Sequence, residues 1–185
     1  YEKEKIFKTK GSTKIITSDN YTLEGNDIFI DNIKKIITSK KKAKLIDQDK
    51  NRIFLENFEY LIEENIFKSI GAVKIIDSNN NNFEFSQIYI NTLKKEILGT
   101  DLKAYMNDQN FKIDPKNKPR IFSNNLKLNK EKNIFNKGVF TLCDYRENDK
   151  CPPWSIQSTK ILHDNKTKTI YYDNAIIKVY DIPIF

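Results

Sequence analysis

Side chains capable of catalysis are scarce in this chain. His163 is the only histidine, and Asp164 follows it, which pairs a candidate general base with a carboxylate that could orient it. Adjacent residues on a strand point to opposite faces of a sheet, however, so these two side chains would diverge. One histidine is too few for a histidine-built metal site, and five glycines leave little room for a phosphate-binding loop. The sequence therefore predicts no enzyme, with no catalytic residue, no metal site and no cofactor.

The two cysteines, Cys143 and Cys151, are separated by a polar stretch, residues 144–150, that is typical of a loop. A tetrahedral zinc site would lack ligands, because the chain offers no other cysteine and a single histidine. Two loop cysteines without metal partners favour a disulfide, and a disulfide indicates an oxidising compartment. A pair of reduced thiols unrelated to each other is the alternative.

The charged residues indicate an anionic partner only weakly. The formal net charge of +7 at pH 7 favours nucleic acid or an anionic lipid. Lysine and asparagine occur throughout the chain, however, and this spread is more typical of a solvated surface than of a binding patch. Asp47, Asp49 and Asp77 lack the glycine-rich spacing of a calcium-binding repeat, so we interpret them as turn residues that cap their own backbone.

An internal repeat of 30 residues organises the chain. At this offset Ile16 aligns with Ile46, Ile76 and Met106, and polar turns follow the last three. Three further sets of positions align in the same register: Ile28-Phe29-Ile30 with Phe58-Glu59-Tyr60 and Ile88-Tyr89-Ile90, Ile36-Ile37 with Ile66-Phe67 and Glu96-Ile97, and Ser39 with Ser69 and Gly99. Four sets in one register predict a repeated structural unit.

Each unit predicts short strands rather than helices. Apolar residues recur at a spacing of two, as in Ile28/Ile30 and Phe83/Phe85, which places each pair on one face of a strand. Such a unit cannot close a core alone, so stacked units would bury a continuous apolar strip. The sequence thus predicts an all-β, elongated roll of stacked short antiparallel strands as a single domain over residues 1–185. Its parts would be repeats at about 14–113, a proline-bounded loop at 114–120 and further strands at 121–185.

The C-terminal third carries a more specific pattern. Its parts are Cys151-Pro152-Pro153-Trp154, then Ile161-Leu162-His163-Asp164, then Thr169-Ile170-Tyr171-Tyr172-Asp173-Asn174-Ala175, and finally Ile182-Pro183-Ile184. Over about 35 residues this pattern resembles the N-terminal periplasmic, OstA-like domain of the LptD family of lipopolysaccharide-assembly proteins. Ser158 stands where that family usually has alanine, and Asp181 where glycine is common. The two cysteines are also farther apart than the family's frequent two-residue spacing.

The resemblance implies a β-jelly-roll or β-taco solenoid in the periplasm of a Gram-negative bacterium, followed by an outer-membrane barrel. Such a domain serves outer-membrane assembly. It receives lipopolysaccharide from an LptA-like periplasmic bridge protein, joined by strand augmentation, and passes it to the barrel, which holds an LptE-like lipoprotein. The resemblance also implies that Cys143 and Cys151 are oxidised, either with each other or with cysteines of the barrel. It implies no nucleic-acid partner.

Under this hypothesis an apolar groove carries the acyl chains of lipid A, and each buried CH₂ contributes about 0.8 kcal/mol. The predicted groove residues are Ile28, Ile30, Ile37, Leu45, Phe58, Tyr60, Phe67, Ile75, Ile88, Ile90, Ile97 and Tyr105. Simple core packing is the alternative for each of them. Two other functions stay open, namely a lipid-free periplasmic or extracellular repeat scaffold that binds proteins, and a basic nucleic-acid binder. An apolar groove open at one end would separate the three.

Overall fold

The computed structural model describes residues 5–107, 119–129, 131–143, 148, 152–164, 166–167 and 169–184. Strands make up 65% of the structure, and they form one open antiparallel sheet of 17 strands. The described residues contain no helix, and so none that is long and apolar enough to cross a membrane. The prediction of an all-β, elongated jelly-roll-like fold is confirmed. Most of the loop predicted at 114–120 lies outside the described residues.

The strands are β1 (Ile6–Lys8), β2 (Ser12–Ile16), β3 (Thr22–Asn26), β4 (Phe29–Asp31), β5 (Ile36–Ser39), β6 (Ala43–Ile46), β7 (Arg52–Leu55), β8 (Phe58–Leu61), β9 (Ile66–Ile76), β10 (Asn82–Asn91), β11 (Glu96–Tyr105), β12 (Arg120–Leu128), β13 (Lys132–Thr141), β14 (Trp154–Asp164), β15 (Thr169–Asp173), β16 (Ile176–Val179) and β17 (Ile182–Pro183).

The sheet is folded lengthwise into two arms. Arm 1 contains β2, β3, β6, β7, β16 and β17, and arm 2 contains β1, β4, β5, β8 and β15. The longer strands β9 to β14 bend in the middle and contribute one half to each arm. In β9, for example, residues 73–76 pair with β7 of arm 1, whereas residues 66–68 pair with β8 of arm 2. The bends of successive strands therefore form the closed edge of a V.

The turns at the free ends of the arms repeat every 30 residues. Arm 1 ends in the turns 17–21, 47–51 and 77–81, which we call rim 1, and arm 2 ends in the turns 32–35, 62–65 and 92–95, which we call rim 2. Positive φ angles between 52° and 65° recur at Asn20, Lys50 and Asn80 in rim 1 and at Lys35, Asn65 and Lys95 in rim 2. The repeat found in the sequence is thus a repeat of backbone conformation.

The core lies between the two arms. Alternating side chains of each strand point inward, and 23 hydrophobic residues of the described ranges are buried there. The arms approach closely at the bends, where Phe85 of arm 1 lies directly against Gly99 of arm 2. Glycine is required at that point, since a Cβ on residue 99 would overlap the Phe85 ring. Each buried Leu, Ile or Phe side chain contributes about 1.5–3 kcal/mol to stability.

Candidate apolar groove

The inner face of arm 1 carries a continuous ladder of apolar side chains. Each member faces the next across a strand pair, so the ladder runs along arm 1 from β2 to β13. Its members in spatial order are Ile15, Leu23, Leu45, Ile53, Ile75, Phe83, Ala104, Ile121 and Phe140. All of them belong to the core or pack against it, and this forms one apolar wall.

Arm 2 carries the matching wall. Its ladder runs from β4 to β12 through directly paired positions. The members in spatial order are Ile30, Ile37, Tyr60, Phe67, Ile90, Ile97 and Leu128. The Tyr60 and Phe67 rings lie 5.8 Å apart between centroids. The two ladders face each other across the space between the arms.

The arm 2 ladder becomes polar after Leu128. The next paired positions are Asn133 and His163, and the Nδ2 atom of Asn133 lies 3.3 Å from the Nδ1 atom of His163. Burial lowers the pKa of His163, and the nearby Asp164 carboxylate opposes this shift only partly. The Asp164 carboxylate instead accepts hydrogen bonds from the backbone N–H groups of Lys166 and Thr167. His163 and Asp164 therefore have separate structural surroundings.

A cavity of about 480 Å³ lies where the arms open at their rims. This volume is within the range of small-molecule sites in proteins, about 300–1,000 Å³. Its apolar lining comes from both ladders and from Tyr21: Tyr21, Ile53, Ile75, Phe83, Ile90, Ile97 and Leu128. Its polar lining comes from the rims, from the residue after β12 and from the start of β13: Asp47, Gln48, Asp49, Asn51, Asp77, Ser78, Lys95, Asn129 and Asn133. The cavity thus has apolar walls beneath a polar opening.

Rim 1 is built from repeated aspartate turns. The Asp77 carboxylate accepts hydrogen bonds from the backbone N–H groups of Asn79 and Asn81 and from the Asn81 side chain, at 2.7–2.9 Å. Asp47 makes the equivalent bonds one repeat earlier. Successive turns are joined as well, since the Asn51 side chain accepts the N–H of Ser78. The Asp47 and Asp77 carboxylates are thus held by hydrogen bonds within their own turns, which fits their interpretation from the sequence as turn residues.

The acidic side chains of rim 1 affect the pKa of Tyr21, which lines the cavity. The pKa of Tyr21 is raised to about 12, mainly because burial disfavours the phenolate, and further because the carboxylates of Asp47, Asp19 and Asp49 repel it. The Tyr21 hydroxyl consequently stays protonated and neutral at ordinary pH. Rim 1 gives this side of the opening a negative potential.

Of the twelve predicted groove residues, all except Tyr105 face the space between the arms. Ile75, Ile90 and Ile97 line the cavity directly. Ile28, Phe58 and Ile88 lie deeper, near the bends, and are at most 3% exposed. The Phe58 ring stacks on the Phe67 ring at 5.1 Å. The remaining predicted residues belong to the two ladders: Ile30, Ile37, Leu45, Tyr60 and Phe67.

Tyr105 is on the outer face, and Ala104 takes its predicted place in the arm 1 ladder. The cause is the length of one bend. At the bend of β9, the inward-facing residues Ser69 and Val73 are four positions apart. At the bend of β11, the corresponding residues, Gly99 and Leu102, are only three positions apart. Removing one residue from a strand exchanges its two faces. Tyr105 accordingly packs outside, against Phe122 with ring centroids 6.5 Å apart.

The other half of the groove wall was not among the residues predicted from the sequence. Ile53 and Phe83 line the cavity from arm 1, and Leu23 occupies the same position in the first repeat. These three residues are themselves 30 positions apart, so the repeat carried the signal. Tyr21 and Leu128 also line the cavity, but no pattern in the sequence distinguishes them from other apolar residues.

Cys143 lies half-buried in the turn after β13, where its backbone N–H donates to the Thr141 hydroxyl at 3.0 Å. It forms no disulfide with any residue that the structure describes. Cys151, the other half of the predicted pair, lies outside those residues. The oxidised state of the two cysteines stays a prediction.

No protein-family model matches the chain, and no curated protein matches it. The geometry of the two arms and the sequence pattern at residues 151–184 are therefore what indicates a function.

Proposed function

We propose that this chain is the periplasmic, OstA-like domain of an outer-membrane lipopolysaccharide-assembly protein of the LptD family. In this proposal the space between the arms holds the acyl chains of lipid A while the lipid travels to the outer-membrane barrel. The observation that carries the proposal is the pair of facing apolar ladders with a cavity of about 480 Å³ between them. Apolar walls of this kind favour an acyl chain by about 0.8 kcal/mol for each buried CH₂, without any specific contact.

The free strand edges support a place in a chain of domains. Among the described residues, β1 pairs only with β4 and β2 only with β3, so one end of both arms presents unpaired edges. At the other end β15 pairs only with β14 and β17 only with β16. An LptA-like bridge protein would extend the N-terminal edges by strand augmentation. The C-terminal end would then lead toward the barrel and its LptE-like lipoprotein.

A lipid-free repeat scaffold is the second candidate, and the packing near the bends favours it. Ile28 and Ile88 are 0% exposed, and Phe58 is 3% exposed. This depth of burial is typical of a closed core rather than of an open channel. The two candidate functions differ in whether lipid enters the space between the arms at their rims.

A pair of adjacent residues on β11 allows a matched test. Ile97 lines the cavity, whereas Leu98 points outward and is 47% exposed. We expect Ile97→Asp to weaken binding of lipopolysaccharide by the purified chain at least about tenfold, because a carboxylate in an apolar cavity is costly to desolvate. Leu98→Asp should bind as the unchanged chain does. Displacement of a fluorescent fatty-acid probe measures the binding.

Circular dichroism and a denaturation curve for each variant serve as folding controls. If both folded variants bind lipopolysaccharide with the affinity of the unchanged chain, the groove is not the lipid site. If the unchanged chain binds no lipopolysaccharide, the scaffold candidate replaces the proposal.

A further inference from the structure

The two rims that face each other across the cavity differ in charge. The rim 1 turns 17–21, 47–51 and 77–81 each have a net charge of −1. In rim 2 the turn 92–95 has a net charge of +2, from Lys94 and Lys95. Lys95 lines the cavity from one side, and Asp47, Asp49 and Asp77 line it from the other. The cavity opening is thus acidic along arm 1 and basic at the turn 92–95 of arm 2.

The two lysines are available to a ligand. Neither Lys94 nor Lys95 forms an ion pair with a residue in the described part of the chain, and both are exposed. Their turn is held in place from below, since the Asn91 side chain accepts the backbone N–H of Lys94 at 2.8 Å. A fixed turn presents two ammonium groups at little cost in backbone entropy.

Of the three rim 2 turns, only 92–95 brings a lysine to the cavity, because the turn 32–35, which also has a net charge of +2 from Lys34 and Lys35, does not line it. The preceding rim 2 turn, 62–65, carries Glu63 and Glu64 and has a net charge of −2. Beside Lys94, the Thr92 hydroxyl donates to the Asp19 carboxylate of rim 1 at 3.3 Å, so the two rims meet there. Of the basic rim 2 turns, the one at the cavity therefore offers Lys94 and Lys95 to an anionic group bound there.

We infer that the groove binds its lipid in one orientation, with a phosphate of the head group on Lys94 and Lys95 and the acyl chains against the cavity walls. The inference rests on the proposed function, and adds to it which rim holds the head group. Rim 1 contributes by repulsion, because its carboxylates are fixed by their turns and disfavour a phosphate on that side. The raised pKa of Tyr21 agrees with a negative potential along arm 1.

The test compares diphosphorylated lipid A with the same lipid A after removal of its phosphates. We expect Lys94→Glu/Lys95→Glu to weaken binding of the phosphorylated lipid at least about tenfold and to leave binding of the dephosphorylated lipid unchanged. The affinity of the unchanged chain for the phosphorylated lipid should fall as salt is added, and that of the double variant should not.

The matched control is Lys40→Glu/Lys137→Glu, which makes the same change in net charge. Both lysines are exposed at the bends, far from the rims, so this variant should bind both lipids as the unchanged chain does. Asp49 is an exposed carboxylate of rim 1 that lines the cavity, and Asp49→Lys should tighten binding of the phosphorylated lipid.

Three results would overturn the inference in different ways. If the Lys94→Glu/Lys95→Glu variant binds both lipids like the unchanged chain, the head group does not lie on rim 2, although the groove still binds lipid. If inorganic phosphate at the same concentration displaces the lipid completely, the lysines form a simple anion site. If the unchanged chain binds neither lipid, the proposed function itself is wrong.

Discussion

At the scale of the residue, His163 lies in the polar part of the arm 2 ladder, beside Asn133. Burial lowers its pKa in the folded protein, while in the unfolded chain a histidine titrates near pH 6.5. Between these two pKa values the unfolded chain binds more protons than the folded one. The free energy of unfolding consequently rises with pH in this window, and it falls as the pH is lowered through 6.5.

We expect chemical denaturation between pH 5 and 8 to show this loss of stability on the acid side. His163→Gln, which keeps a polar side chain beside Asn133 but cannot be protonated, should remove part of that slope. An equal slope in the variant and the unchanged chain would mean that other groups set the pH dependence of folding.

At the scale of the element, the bends decide how closely the arms approach. A Cβ on residue 99 would overlap the Phe85 ring, which is buried and cannot move aside. We therefore expect Gly99→Ala to lower the free energy of unfolding by about 1–3 kcal/mol, the usual range for overpacking a core. Thermal or urea denaturation measures the change.

Gly25→Ala is the matched control for that prediction. A Cβ on residue 25 would lie 3.4 Å from the Cβ of Ala43, which is an ordinary contact, so the change should stay within about 1 kcal/mol. Equal destabilisation by the two substitutions would show that the close packing of Phe85 on Gly99 does not limit the bend.

The bends also explain which inward-facing residues the 30-residue repeat predicts correctly. The 30-residue offset places Ile28, Phe58 and Ile88 on the inner face. In each of the three repeats, the segment that runs from rim 1 to rim 2 bends after the same number of residues. The same offset misplaces Tyr105, because β11, the strand that runs from rim 2 back to arm 1 in the third repeat, is one residue shorter at its bend. A local signal exists there, since the charged Lys103 between Leu102 and Ala104 indicates which face is outward.

Other features of the site have no signature in a single sequence. The cavity depends on how far the two rims stand apart, and rim spacing follows from long-range packing at the bends. The contact between Thr92 and Asp19 joins residues 73 positions apart, and neither belongs to a motif. The opposite charges of the rims become visible only once the turns are placed on the two arms.

At the scale of the whole molecule, the space between the arms is a passage for lipid under the proposed function, and the free strand edges connect the chain to neighbouring domains. A closed scaffold would keep the same strands, the same ladders and the same turns. The difference between the two lies in whether the cavity side of the ladders meets acyl chains in the cell. Probes at two adjacent residues of one strand can distinguish these functions directly. One side chain faces the space between the arms, and the other lies on the outer face at the same level of the strand.

Photo-crosslinking in cells that make lipopolysaccharide is the most direct measurement, with an aliphatic diazirine side chain at Ile90 or at Tyr89 of the full-length protein. Ile90 lines the cavity, and Tyr89 beside it is 41% exposed on the outer face. We predict a lipopolysaccharide crosslink from position 90 and little or none from position 89. Absence of a crosslink from position 90 in folded, assembled protein, or equal crosslinks from both positions, would contradict a lipid passage between the arms.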